Sequence, residues 1–179
     1  KNELQKKLFN PIQGWFGHKK PFNFDLNYIP DDGINRFSVG TPPVLSLFAM
    51  ETGIDITLKA GIKSIRKKSL LQTEFFIKHL KNRLVPLGYN LESPQEKSKR
   101  GAHITISHKF SWQICQALIK GNNNGFKIIP DFRPPNFLRF GISPLYNRFE
   151  DLYIVIRRLE DIVTSKEYLN FSTEKINVT

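Results

Sequence analysis

From Ile62 onward the apolar residues change their period several times, and that alternation limits the folds open to the chain. Ile62, Ile65, Thr73, Phe76, Ile77, Leu80 and Leu84 recur at helical spacing, while Lys63, Lys67, Lys78 and Lys81 fall mostly outside the stripe. Pro86 stops this helix. A strand is expected over residues 89–92, then a polar loop over 93–99. In the next stretch Ala102, Ile104 and Ile106 occupy alternate positions, the mark of a half-buried strand. Residues 112–120 read as a short helix ended by Gly121. Two further strands, 126–130 and 137–142, are expected on either side of Asp131-Phe132-Arg133-Pro134-Pro135. A final helix over 148–165 turns Phe149, Leu152, Tyr153, Ile156, Leu159 and Val163 inward, and the tail beyond Glu167 is expected to be loose. The order predicts an α+β domain with helices packed on a mainly antiparallel sheet.

The first sixty residues read differently. Residues 1–40 have no sustained period and are rich in aromatics, Pro and Gly, as expected of a segment wrapped over a partner surface or lining a site. Thr41, before Pro42 and Pro43, is the expected N-cap of a helix over 44–58. That helix is apolar nearly all round at first and is therefore expected to be buried; Gly61 breaks it. The expected organisation is 1–60 as the end of one domain and 61–179 as a second, smaller one.

Composition excludes several classes. A hydrophobic content of 40% with 15 Phe suffices for a core. No apolar run approaches the roughly 20 residues that span a bilayer, and the charged start is not signal-like. Cys115 is the one cysteine, so no internal disulfide forms and a zinc site is not expected; this usage suits a reducing cytosol. The net charge of +11, from 27 Lys+Arg against 16 Asp+Glu, is spread along the chain. Nucleic-acid binding asks for concentrated charge beside stacking aromatics, so neither a nucleic acid nor a membrane is an expected partner.

Arg139 stands between Leu138 and Phe140, with Gly141 and Pro144 ending the run. A guanidinium left buried and unpaired on such a strand costs about 3–5 kcal/mol. An internal Asp or Glu compensates it on one reading; on the other, its fork grips a planar two-oxygen anion such as a substrate carboxylate. Trp15 offers an indole N–H on a large apolar body, and Thr41 a hydroxyl near a helix start, where anions are favoured. Trp15 as a core aromatic and Thr41 as a plain cap are the structural alternatives. His18, His103 and His108 lack an evident orienting partner for base catalysis, and Tyr146 and Asn147 fit loop packing as well as substrate contact.

Four stretches, Gly14-Trp15-Phe16-Gly17-His18, residues 36–45, residues 100–108 and residues 136–147, resemble in order and spacing the carboxy-terminal part of kynureninase, from about Gly14 to about Val163. That family is a pyridoxal 5'-phosphate (PLP) hydrolase group with the fold-type I architecture. The resemblance implies a homodimeric, cytoplasmic enzyme of tryptophan catabolism that cleaves L-kynurenine or 3-hydroxykynurenine, giving anthranilate and L-alanine from the former. It implies that residues 1–60 end the large cofactor-holding domain and 61–179 form the small domain. By the same resemblance Arg139 binds the substrate α-carboxylate, Phe16 packs on the substrate ring, and Trp15 and Thr41 hold the PLP phosphate across a dimer interface. Some members carry Asn at the position of Thr41. No lysine here stands in the family's Tyr-Lys-Tyr-Leu-Gly/Asn-Gly-Gly pattern, so the Schiff-base lysine and the pyridine-facing acid are expected to lie outside this chain, leaving it inactive alone. Another PLP lyase or hydrolase of the superfamily, or a non-catalytic basic binding module, are the alternative readings.

Overall fold

The computed structural model describes residues 2–121 and 126–174. Two compact units divide at Lys59 and Ala60.

The first unit holds two α-helices, α1 (Asn2–Lys7) and α2 (Val44–Ala60), with short 3-10 turns at Trp15–Gly17 and Gly33–Phe37 between them. The α1 turn was not legible in the aperiodic start of the chain. Two glycines bring its motifs together. A Cβ at Gly14 would lie 1.6 Å from the Val39 carbonyl oxygen, and one at Gly17 would lie 2.7 Å from both Ser38 O and the Tyr28 hydroxyl. Residues 14–17 therefore pack directly on the 36–39 backbone, an approach only glycine permits. Arg36 ties this layer to α1, donating from Nη1 to Gln5 O at 2.9 Å and from Nε to Asp31 O at 3.1 Å.

Two expectations for this unit are corrected. Thr41 is not the N-cap: α2 begins at Val44, and Pro43 O accepts the Leu47 N–H at 3.0 Å. Each proline disfavours helical geometry in the residue before it, so Pro42 and Pro43 keep Thr41 outside the helix. Nor is α2 buried. Leu45 is 86% and Phe48 74% exposed, and no α2 residue reaches the buried class.

The second unit has the predicted order of elements: α3 (Ile62–His79), β1 (Asn90–Leu91), β2 (His103–Ser107), α4 (Ser111–Lys120), β3 (Asp131–Arg133), β4 (Phe137–Gly141) and α5 (Phe149–Thr164). A π turn, Leu80–Leu84, extends α3 to the 3-10 turn at Val85–Leu87. The sheet is antiparallel throughout, in the order β1-β2-β4-β3. Phe76, Leu80, Ile114, Leu118, Ile156 and Leu159 from the helices join Ile104, Ile106, Leu138 and Phe140 from the strands in one core. All helices of this core thus cover one face of the sheet.

Here too some boundaries move. Residues 126–130 form no strand; β3 lies in the stretch read as a turn. Ile128, Pro130 and Phe132 are buried at alternate positions, so the two-residue period runs on through the charged residues. Ile128 N–H meanwhile bonds Leu118 O at the end of α4, and Pro130 has no N–H to give a ladder. In α5 the buried stripe is Leu152, Ile156, Leu159 and Ile162, with Phe149 and Tyr153 at its exposed edge. Ile62 is likewise exposed. The described tail is not loose: Tyr168 stacks on Phe110 at 4.5 Å, and Trp112 Nε1 donates to Glu174 O at 2.7 Å. Residues 175–179 lie outside the described residues.

Candidate functional site

The strand period places Arg139. Leu138 and Phe140 point into the core, so Arg139 projects from the other face of β4, opposite the core helices of this unit. In register across the sheet it stands between Thr105 on β2 and Asp131 on β3. Its Nη2 lies 2.5 Å from Asp131 Oδ2, and the same oxygen accepts from Arg133 Nε at 2.9 Å. The internal carboxylate considered for Arg139 is therefore present. It is shared, however: two guanidiniums face one carboxylate, which leaves one positive charge over. Arg139 and Asp131 side chains remain 41% and 40% exposed, so the pair is open to a further anion. Burial opposes the charged form of Asp131, but Arg133 and Arg139 outweigh it and hold its carboxyl below the ordinary value. His103, opposite Gly141, is exposed on the same face.

Asp131 and Arg133 went unnoticed as neighbours of Arg139 because the prolines after them signal a turn. The charged–apolar–charged spacing of Asp131, Phe132 and Arg133 was the available clue.

In the first unit Trp15 is 47% exposed and meets Phe16 at 5.0 Å and Phe22 at 5.7 Å, both edge to face. Trp15, Phe24 and Tyr28 line a cleft of about 350 Å³. Neither the Trp15 indole N–H nor the Thr41 hydroxyl bonds a described residue, so among the described residues neither donor has an acceptor. His18 is a structural residue. It is buried, its Nδ1 accepts the Lys20 N–H at 2.9 Å, and its Nε2 faces Asn27 O at 3.3 Å.

The loop after β4 is anchored to α3. Lys68 Nζ donates to Pro144 O at 2.7 Å, and Gln72 Nε2 to Asn147 O at 2.8 Å. Asn147 Oδ1 accepts the Ser143 N–H, which makes it a loop-closing residue, while Tyr146 is 76% exposed. Among the described residues no helix is long and apolar enough to cross a membrane, and no His/Cys/Asp/Glu group could hold a metal ion.

The model of the kynureninase C-terminal domain family matches residues 65–159. The kynureninase of Pseudomonas fluorescens is 35% identical over 158 residues, covering 88% of this chain and 37% of that protein. The kynureninase of Burkholderia mallei (strain SAVP1) is 34% identical over 164 residues, covering 92% and 38%. The chain thus spans under two fifths of the length of these curated relatives. Among solved structures, the apo cysteine desulfurase from Thermococcus onnurineus NA1 shares the fold, with a TM-score of 0.69 at 13% identity over 92% of this chain and 42% of that one.

Proposed function

The chain belongs to the kynureninase family, and we propose that it supplies the substrate-carboxylate clamp and part of the cofactor-phosphate site of a PLP-dependent hydrolase acting on L-kynurenine or a hydroxylated analogue. The observation that carries this reading is the row Thr105–Arg139–Asp131 on the sheet face opposite the core helices, where Arg133 and Arg139 share one carboxylate. A substrate α-carboxylate takes up the remaining positive charge, and the planar fork of Arg139 fixes its orientation. Asp131 sets the direction of that fork from the neighbouring strand.

Trp15 and Thr41 fit a phosphate group, since each presents a donor with no described partner. Phe16, beside Trp15, offers an apolar surface to an aromatic substrate ring. PLP, when bound, serves as the electron sink for bond cleavage. This chain's part is binding, orientation and exclusion of water. The lysine that carries the cofactor covalently belongs to the remainder of a homodimeric, cytosolic enzyme, in which Trp15 and Thr41 act across the subunit interface. The 179-residue chain alone is therefore expected to be inactive, and borohydride treatment with PLP should leave no stoichiometric label on a single lysine. A label on one residue would overturn that division of labour.

The direct test is a chimera in which this chain replaces the matched segment of the Pseudomonas fluorescens enzyme, assayed by anthranilate fluorescence. Arg139→Ala and Arg139→Lys should each lower kcat/KM for L-kynurenine by about 2–4 kcal/mol, roughly 30- to 1,000-fold. PLP absorbance and melting temperature should barely change. Normal turnover with a collapsed melting temperature would make Arg139 a structural ion pair instead.

A further inference from the structure

Several guanidiniums of the second unit are buried or half-buried, and their partners differ. Arg83 meets Glu160 and Arg158 meets Glu167. Arg100, 3% exposed, pairs with no carboxylate among the described residues. Its Nε donates to Thr73 Oγ1 at 3.0 Å, and its Nη1 to Gln95 O at 2.8 Å and Pro94 O at 3.3 Å. Its Nη2 is buried with no acceptor. A guanidinium has five N–H groups, so among the described residues the two on Nη2 are unmatched and no carboxylate neutralises the charge.

Arg100 lines a cleft of about 640 Å³ between the end of α3 and the start of α5. Lys78 and Lys81 stand at this cleft, both exposed, against one carboxylate, Glu74. Glu74 is itself held by Lys97 at 2.8 Å. Phe75 and Phe149 also line the cleft, their rings meeting edge to face at 5.5 Å. Surplus positive charge beside an apolar wall is the environment that favours an anion carrying a flat body, because low-dielectric walls strengthen the attraction.

We propose that this cleft binds a small organic monoanion with a flat apolar body. The anionic head is held by Lys78 and Lys81 in the field of Arg100, and the body lies against Phe75 and Phe149. The site is separate from Arg139, which projects from the sheet face opposite the helices. It does not depend on the reading of that residue.

The test uses the whole 179-residue chain and 1-naphthoate as probe, followed by isothermal titration calorimetry. Acetate tests the head alone, and 1-naphthalenemethanol the body alone. Naphthoate should bind with one-to-one stoichiometry and more tightly than either control, and its affinity should fall with added salt. The double variant Lys78→Gln/Lys81→Gln alters exposed positions and should melt normally, yet weaken naphthoate about tenfold or more. Arg139→Ala should leave the affinity unchanged. Absence of binding, equal binding of the alcohol, or an unaltered affinity in the double variant each overturns the proposal. Loss of binding in Arg139→Ala alone would do so too, assigning the anion to the sheet face.

Discussion

Arginine 139 and histidine 108 show how much a side chain's neighbours decide. Arg139 stands out in the sequence because its strand neighbours Leu138 and Phe140 are apolar. That its guanidinium shares Asp131 with Arg133 depends on β3 pairing with β4, a long-range fact that no local period encodes. His108 is the reverse case. It is buried, its Nδ1 accepts the Phe110 N–H at 3.1 Å, and its Nε2 faces Leu87 O at 3.2 Å, so the ring is neutral with its proton on Nε2. Burial pulls its pKa below the ordinary 6.5, with the Leu87 bond opposing. The unfolded chain then binds the proton more readily than the folded one. The His108 contribution is therefore complete above pH 6.5 and is lost as pH falls through that value toward the lower folded one, at no more than about 1.4 kcal/mol per pH unit. Thermal unfolding between pH 7.5 and pH 5 should show a steeper fall in stability for the native chain than for His108→Gln. Parallel curves would assign the acid sensitivity to other groups.

Among the elements, α3, α4 and α5 were legible because each sustains a helical stripe long enough to outweigh its ends. The short strands were not. β3 has three residues, and its two charges beside prolines resemble a turn until Phe132 is seen to continue the buried alternation from Ile128. The tail is hard to read for a similar reason, since Phe110 and Trp112, which hold Tyr168 and Glu174, lie far away in sequence. Arg158 on α5 grips Glu167 with two bonds, 2.6 and 2.7 Å, and its Nη2 also donates to Gly121 O at 3.1 Å and Ala117 O at 3.3 Å. One guanidinium thereby joins α5, the end of α4 and the 3-10 turn Glu167–Asn170. With the side chain only 12% exposed, Arg158→Ala should lower unfolding free energy by about 2–4 kcal/mol. Glu167→Gln, which keeps part of the hydrogen bonding, should cost less. Urea titrations of both variants measure this; a change under about 0.5 kcal/mol for Arg158→Ala would reduce the clamp to a surface contact.

Taken as a molecule, the chain divides its apolar residues unequally. The second unit buries a continuous core, whereas α2 leaves Val44, Leu45, Phe48 and Leu58 each more than two thirds exposed, at 68%, 86%, 74% and 72%. An apolar surface of this kind is characteristic of a contact made with other polypeptide, and the curated relatives are long enough to provide it, since the chain spans 37% and 38% of two of them. The apolar run of α2 predicted a buried helix, whereas within this chain the helix is exposed. The consequence is opposite behaviour in two settings. Alone, the 179-residue chain should self-associate through α2, and Leu45→Lys with Phe48→Glu should shift it toward monomer in sedimentation experiments without loss of second-unit stability. In the Pseudomonas fluorescens chimera the same pair should lower the melting temperature, because there each introduced charge displaces a buried apolar contact worth about 1.5–3 kcal/mol. An α2 that tolerates both charges in the chimera would be a surface helix there as well, and the self-association of the isolated chain would then have to arise from another face.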